Sequence, residues 1–205
     1  MIFFLDSSVF IESKKNYYAP DICSAFWCWL SKECLSNSNI RSIQDVLDEL
    51  KAGNDDLPKW VQTKLPGDFF IPTSKDVDIV DERRRMQDAL EHRTDLKSAK
   101  VRSFLAKADL WLIAAAKIKG GCVVTNERAN PGQGSIKIPS VAEYFGVKSC
   151  TIFDVMRTCG VRLCNYDTEG EKQDIVFKDC RAVVTKIPSL FNHNSGLSQD
   201  EPELD

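Results

Sequence analysis

The sequence predicts an α/β fold built on a mostly parallel sheet. Two short runs of apolar residues, 2–5 and 122–125, are typical of parallel strands that are buried on both faces. Segments with apolar residues at helical spacing lie between and after these runs, and such alternation is the pattern of a parallel sheet with helical connections. A chain of 205 residues is long enough for one domain with its own core.

The predicted elements follow one another along the chain, and several end at a glycine. A further strand is predicted at residues 69–71, and one or two short strands within residues 175–187. A loop is predicted at residues 130–135, and Gly120-Gly121 is predicted to end the longest helical segment. Helices are predicted over residues 22–35, 42–51, 57–65, 76–92, 98–119 with a break near Asp109, 140–144 and 151–158.

The composition excludes several classes of protein. With 43% hydrophobic and 28% charged residues, the chain is too apolar for intrinsic disorder. Its longest apolar run, residues 110–116, is far shorter than the roughly 20 residues that cross a bilayer, so no membrane partner is expected. The first ten residues lack a basic region and contain Asp6, which argues against a secretory signal.

The cysteines predict a reducing compartment. None of the 8 cysteines has the C-x-x-C spacing of a zinc or redox site, and the chain has only 2 histidines. Small buried thiols are the simpler interpretation, and together with the missing export signal they predict a cytoplasmic protein.

Asp6 is the first candidate functional residue, because it directly follows the first apolar strand. Ligands of open α/β sheets bind beyond the carboxyl ends of the strands. The alternative is a turn acid that caps a loop together with Ser7 and Ser8, which is a common local arrangement.

Glu127 stands in a similar position, beyond the carboxyl end of the strand over residues 122–125. Thr125 offers a hydroxyl that could orient a carboxylate or a metal-bound water. The alternative is an ordinary polar transition from strand to loop, in which Asn126 competes with Glu127 for any direct role.

Two further carboxylates lie on helices. Asp109 shares a helical stripe with Leu112 and Ile113, which places a carboxylate on a face that should be buried. A buried charge requires a cation, a hydrogen-bond network or a changed pKa, although Asp109 could also cap the second half of a broken helix. In the helix over residues 42–51, Glu49 is the acid nearest the core boundary, while a solvated face is the alternative.

Clustered carboxylates without a neighbouring histidine or cysteine indicate a site for a hard cation. Mg²⁺ and Mn²⁺ prefer oxygen ligands and are commonly held by a few carboxylates together with substrate phosphates. Such an ion can activate water for in-line attack on a phosphodiester.

Each of the four carboxylates lies in a short motif. The motifs are Asp6-Ser7-Ser8-Val9-Phe10-Ile11, Glu49 in its short helix, Ala108-Asp109-Leu110-Trp111-Leu112-Ile113-Ala114-Ala115-Ala116, and Val123-Val124-Thr125-Asn126-Glu127. Together and in this order, they resemble the motifs of PIN-domain ribonucleases across roughly residues 1–164. Within that superfamily the chain is similar to VapC-type toxins, and more closely to an uncharacterised bacterial PIN-like branch.

The resemblance implies a three-layer α/β/α PIN-like nuclease domain over residues 1–164. Residues 165–205 match no part of the family pattern and are expected to form a C-terminal extension, whose acidic end, residues 199–205, is predicted from its composition to be disordered. The resemblance implies that Asp6, Glu49, Asp109 and Glu127 are catalytic and hold Mg²⁺ or Mn²⁺, supported by Ser7, Ser8, Thr125 and Asn126. It further implies a metal-dependent endoribonuclease and toxin, with an RNA substrate and an antitoxin protein as partners. The sequence leaves open whether the protein forms a homodimer.

The chain departs from the family at two positions, which motivates an alternative function. Ser8 stands where the family often has Asn, and Glu127 where relatives often have Asp. The alternative is a PIN-like module that binds RNA or a protein partner without catalysis. A Mg²⁺ phosphatase with an aspartyl nucleophile is disfavoured, since its usual form requires a second Asp at position 8.

The net charge of −3 hides an uneven distribution. Residues 165–205 carry net −5, and the rest of the chain net +2. One segment leading into Asp109 carries net +5 and is predicted to contact RNA phosphates, with a solvated helix face as the alternative. Its basic residues are Arg83, Arg84, Arg85, Arg93, Lys97, Lys100, Arg102 and Lys107.

Overall fold

The centre of the protein is a five-stranded parallel sheet. The computed structural model describes residues 1–36, 39–128, 136–162 and 185–186. The strands are β1 (Phe3–Leu5), β2 (Ile40–Ile43), β3 (Phe70–Ile71), β4 (Cys122–Val124) and β5 (Lys148–Cys150). They lie in the order β3-β2-β1-β4-β5, and every neighbouring pair is parallel.

Helices flank this sheet, which confirms the predicted α/β fold in three layers. They are α1 (Ser7–Glu12), α2 (Ser24–Ser36), α3 (Gln44–Lys51), α4 (Leu57–Lys64), α5 (Val77–Glu91), α6 (Ser98–Leu105), α7 (Asp109–Ile118), α8 (Ile138–Tyr144) and α9 (Ile152–Thr158). Helix α1 runs on into a π-helical turn, Ser13–Tyr17. A second, antiparallel pair consists of β6 (Val161–Arg162) and β7 (Thr185–Lys186). Within the described ranges, none of the helices has the length and apolar character needed to span a bilayer.

The tight turn between α7 and β4 determines the direction in which α7 runs along the sheet. Gly120 has a φ of +63°, a left-handed conformation that ends the helix without a steric penalty. A Cβ on the following Gly121 would lie 2.8 Å from both the carbonyl oxygen of Ile2 and the ring of Phe4, so β4 approaches β1 too closely for any larger residue. Because the chain reverses at this turn, α7 runs antiparallel to β4, and the first residue of α7, Asp109, lies near the carboxyl end of β4.

Two strands of the central sheet differ from the sequence prediction. The helix predicted over residues 42–51 begins only at Gln44, because Ser42 and Ile43 belong to β2 and are fully buried. The Ser42 hydroxyl donates to the carbonyl oxygen of Leu5 at 2.7 Å, a polar contact that no periodicity signals. Strand β5 was not predicted, because Lys148 and Ser149 are exposed at the edge of the sheet and form no apolar run.

The predicted break in the helical segment 98–119 is confirmed, since α6 and α7 are separate helices divided just before Asp109. The strand predicted at residues 69–71 corresponds to β3, and β7 falls inside the range 175–187. The predicted loop at 130–135 and the acidic tail lie outside the described residues.

Candidate functional site

Asp6 lies at the point where β1 ends and α1 begins, and its side chain is 3% exposed. It is the N-cap of α1, and its Oδ2 accepts a hydrogen bond from the amide of Ser8 at 3.3 Å. The same oxygen accepts from the hydroxyl of Ser8 and, at 3.1 Å, from that of Thr125. Asp6 therefore has the capping role considered as an alternative, and it also lies at the carboxyl edge of the sheet.

The end of β4 is joined to this cap through hydrogen bonds. The amide of Asn126 donates to the Ser8 hydroxyl at 3.2 Å, and the side-chain amide of Asn126 donates to the Ser8 carbonyl at 3.4 Å. The amide of Glu127 donates to the Thr125 hydroxyl at 3.1 Å. Three of the four residues predicted to support the site, Ser7, Ser8 and Thr125, donate to Asp6, with Ser7 at 3.5 Å from Oδ1. Asn126 joins them through Ser8.

This environment acts on the pKa of Asp6 in opposite directions. Burial raises the pKa of Asp6 above its ordinary value, since the ionised form loses its hydration. The donors from Ser8 and Thr125 lower it, and the negative charge of Glu127 raises it again. Because the donors converge on Oδ2, Oδ1 is the oxygen with capacity for a further ligand.

Asp109 is the most unusual group of the site. It is 7% exposed at the start of α7, and no described residue donates a hydrogen bond to its carboxylate. Burial, followed by the negative charge of Asp6, raises the pKa of Asp109 to about 7. Glu127 and Glu49 raise it further, while Lys107 opposes them. The sequence expectation of a buried carboxylate on this helix is correct, and its charge is not compensated by a hydrogen-bond network among the described residues.

Glu49 reaches the same place from α3. Its Oε1 accepts a hydrogen bond from the amide of Ala108 at 3.0 Å. That amide is one of the donors that an α-helix leaves unsatisfied at its beginning, so Glu49 satisfies the start of α7 from another helix. No described residue donates to its second oxygen.

Both oxygens of Glu127 are engaged by the segment that leads into α8. The Nζ atom of Lys137 forms an ion pair with Oε1 at 2.9 Å, and the amide of Ile138 donates to Oε2 at 3.0 Å. Glu127 thereby satisfies an amide at the start of α8. Lys137 was not singled out from the sequence, because it lies ten residues beyond Glu127 and no local pattern joins the two.

The four predicted carboxylates face one cleft, which we call the carboxylate cleft. Its volume is about 290 Å³. The residues that line it are Asp6, Ser7, Ser8, Ile11, Glu12, Glu49, Lys107, Asp109 and Glu127. Glu12 was missed in the sequence, because a spacing of six residues from Asp6 does not share one helical face.

A second cavity of about 240 Å³, which we call the lysine cavity, adjoins this cleft and shares Lys107, Asp109 and Glu127 with it. The residues that line it are Lys100, Ser103, Phe104, Lys107, Asp109, Glu127, Ile136 and Lys137. It receives two of the eight cations predicted to contact RNA, Lys100 and Lys107.

The other six predicted cations do not line either cavity. On α5, Arg84 pairs with Asp81 and Arg85 with Glu82, both three residues away, in the manner of a solvated helix face. Lys97 and Arg102 are exposed.

Two of these six stack on aromatic rings. Arg83 lies over the ring of Trp111, with 4.5 Å from its guanidinium carbon to the ring centroid. Arg93 lies over the ring of Tyr144 at 4.6 Å and also pairs with Asp95.

The chemistry of the carboxylate cleft fits a hard divalent cation, although the ligands are not fully gathered. Among the described residues, no three acidic, cysteine or histidine side chains converge on one point closely enough to hold an ion. Both oxygens of Glu127 are moreover engaged, by Lys137 and by the amide of Ile138. The buried carboxylate of Asp109, to which no described residue donates, and the weakly engaged Oδ1 of Asp6 are nevertheless the kind of ligands that Mg²⁺ and Mn²⁺ prefer.

The fold and the cleft define an α/β protein with an acidic site at the carboxyl edge of a parallel sheet, bordered by lysines. The chain belongs to the family described as Domain of unknown function (DUF4411), whose model matches residues 3–163. No curated protein matches the chain.

Proposed function

We propose that the protein is a metal-dependent endoribonuclease of the PIN-domain type. The observation that carries this proposal is the convergence of Asp6, Glu49, Asp109 and Glu127, which are distant in sequence, on one cleft at the carboxyl edge of the sheet. Hydrogen bonding within the protein explains Glu49 and Glu127 in part, but it leaves the buried carboxylate of Asp109 without a described donor. A bound cation would supply the missing charge.

Asp6, Asp109 and the free oxygen of Glu49 would hold Mg²⁺ or Mn²⁺. Such a cation, when bound, activates water for in-line attack on a phosphodiester and stabilises the leaving oxygen. The hydroxyls of Ser8 and Thr125 hold Asp6 through Oδ2, which keeps its other oxygen in a fixed position. Lys100 and Lys107 offset the negative charge of the cleft and attract the phosphates of the strand.

Cleavage of a labelled single-stranded RNA in Mg²⁺ or Mn²⁺ tests this proposal. We expect Asp6→Asn and Asp109→Asn to abolish cleavage. Asp45→Asn is the matched control, because Asp45 lies on α3 beside Glu49 but accepts from Thr73 outside the cleft. Full cleavage by Asp109→Asn, in preparations free of contaminating nuclease, would contradict the site assignment.

We further propose that the enzyme is the cytoplasmic toxin of a toxin–antitoxin pair. Expression of the wild-type chain should then inhibit growth, and expression of Asp109→Asn should not. Coexpression of a small protein encoded by the neighbouring gene should relieve the inhibition, and that protein should copurify with the chain. The six cysteines of the described ranges form no disulfide, and a reducing compartment is part of the proposal.

The engagement of Glu127 favours a second candidate, a PIN-like module that binds RNA or a protein partner without catalysis. A carboxylate held on both oxygens is a poor metal ligand until its partners release it. Calorimetry with Mn²⁺ discriminates between the two functions. Heat of binding that is lost in Asp109→Asn supports the nuclease, and no binding at millimolar Mn²⁺ supports the module.

A further inference from the structure

The lysine cavity brings together cations from three separate parts of the chain. Lys100 lies on α6, Lys107 in the link between α6 and α7, and Lys137 just before α8. Ser103, one turn beyond Lys100 on α6, adds a hydroxyl to the lining. Lysine ammonium groups and hydroxyls are donors suited to a phosphate group.

Two carboxylates, Asp109 and Glu127, form the wall that this cavity shares with the carboxylate cleft. While they are ionised and unligated, they oppose the entry of an anion. When a cation in the carboxylate cleft neutralises these two carboxylates, the positive charge of the three lysines dominates, and the lysine cavity attracts an anion.

Lys137 links the two cavities directly, since it lines the lysine cavity and its ion-pair partner Glu127 lines both. The side chains are 38% and 19% exposed, so this pair is partly solvated. Exchanging a partly solvated ion pair for another charged partner costs little, because such a pair contributes only about 0–1 kcal/mol.

The geometry points to a phosphate subsite in the lysine cavity, where Lys137 exchanges Glu127 for a phosphate of the RNA strand when Glu127 turns to the cation in the cleft. This inference rests on the proposed function, because that function supplies both the strand and the cation. The two events are thermodynamically coupled and reciprocal. The cation promotes phosphate binding by occupying Glu127, and a bound phosphate promotes cation binding by occupying Lys137.

Titration calorimetry of the full chain with Mn²⁺ alone tests the first half of the exchange. We expect Lys137→Met to bind Mn²⁺ about two- to fivefold more tightly than the wild type, because a partly solvated competing ion pair is gone. Lys119→Met is the matched control, since Lys119 pairs with Asp76 at 2.6 Å with similar exposures of 37% and 26% and lies outside both cavities. It should bind Mn²⁺ as the wild type does.

Binding of adenosine 3′,5′-bisphosphate tests the second half. This probe presents strand-like phosphates but has no internucleotide bond that could be cleaved. We expect Mg²⁺ to tighten its binding to the wild type and to Lys119→Met. With Mg²⁺ present, Lys137→Met should bind it about tenfold more weakly, the loss of one charge-assisted hydrogen bond.

Equal binding of the bisphosphate by Lys137→Met and the wild type overturns the subsite, even if the wild type cleaves RNA. Inorganic phosphate that binds as tightly as the bisphosphate overturns the assignment to a strand. Conversely, binding that depends on Lys137 and Mg²⁺ in a protein that cleaves no RNA supports the subsite and refutes the ribonuclease.

Discussion

Replacing Asp109 by Asn should stabilise the metal-free protein at neutral and alkaline pH. The pKa of Asp109 rises from its ordinary value of 3.8 to about 7, chiefly because the carboxylate is buried. A group that binds its proton more tightly in the folded state lowers the free energy of unfolding as the pH rises between its unfolded and folded pKa values. The wild type should therefore lose stability from pH 4 to pH 7 through this group.

Each pKa unit corresponds to about 1.4 kcal/mol, so the full cost of ionising Asp109 above pH 7 is about 4 kcal/mol. Coupling to Asp6 reduces what one substitution recovers, and we expect a gain of about 2–4 kcal/mol for Asp109→Asn at pH 8. Near pH 4 the two proteins should differ by less than about 1 kcal/mol, because the carboxyl of the folded wild type is then protonated and that of the unfolded chain is only about half ionised.

Urea denaturation in EDTA at pH 4.5, 6 and 8, followed by tryptophan fluorescence, measures this difference. Asp21→Asn, at an exposed turn, is the control and should follow the wild type at each pH. Added Mn²⁺ should stabilise the wild type and leave Asp109→Asn unchanged. A destabilised Asp109→Asn at pH 8, or a difference that does not vary with pH, would refute the reasoning.

Three further substitutions test separate parts of the structure by thermal and urea unfolding. Gly121→Ala should cost about 1–3 kcal/mol, because its Cβ would lie 2.8 Å from β1; a wild-type melting temperature would contradict this close approach. Glu82→Gln should lower the free energy of unfolding by about 1 kcal/mol at pH 7, because a hydrogen bond from Lys117 of α7 lowers the pKa of Glu82. This difference should disappear as the pH falls below 4.5, and the control Asp81→Asn should change stability by less than about 0.5 kcal/mol at each pH. Thr125→Val should lower the free energy of unfolding by about 1–3 kcal/mol, because it removes the donor to the buried carboxylate of Asp6 and the acceptor of the Glu127 amide. Ser7→Ala should have little effect, and equal losses in the two variants would argue against the hydroxyl network.

The sequence signals in this chain were strongest where burial is continuous. β1 and β4 are buried at every position, so their apolar runs were readable as strands. The sequence prediction assigned the end of β2 to the following helix, because Ser42 is polar although it is buried. Only the fold reveals the carbonyl of Leu5 to which its hydroxyl donates. β5 could not be predicted, since an exposed edge strand needs only backbone pairing.

The carboxylates show the same division between local and long-range information. Asp6, Asp109 and Glu127 were identifiable from their positions relative to strands and an apolar helix face. The contact of Glu49 with the amide of Ala108 joins residues 59 positions apart, and no local pattern predicts it. Lys137 was missed for the same reason, because its importance comes from a cavity that forms only in the folded protein.

Anomalous diffraction from a crystal soaked in Mn²⁺ tests the central claim most directly. The account predicts a manganese peak in the carboxylate cleft, coordinated by oxygens of Asp6 and Asp109, with Lys137 withdrawn from Glu127. A cleft without an anomalous peak at saturating Mn²⁺, with Glu127 still paired to Lys137, would contradict it.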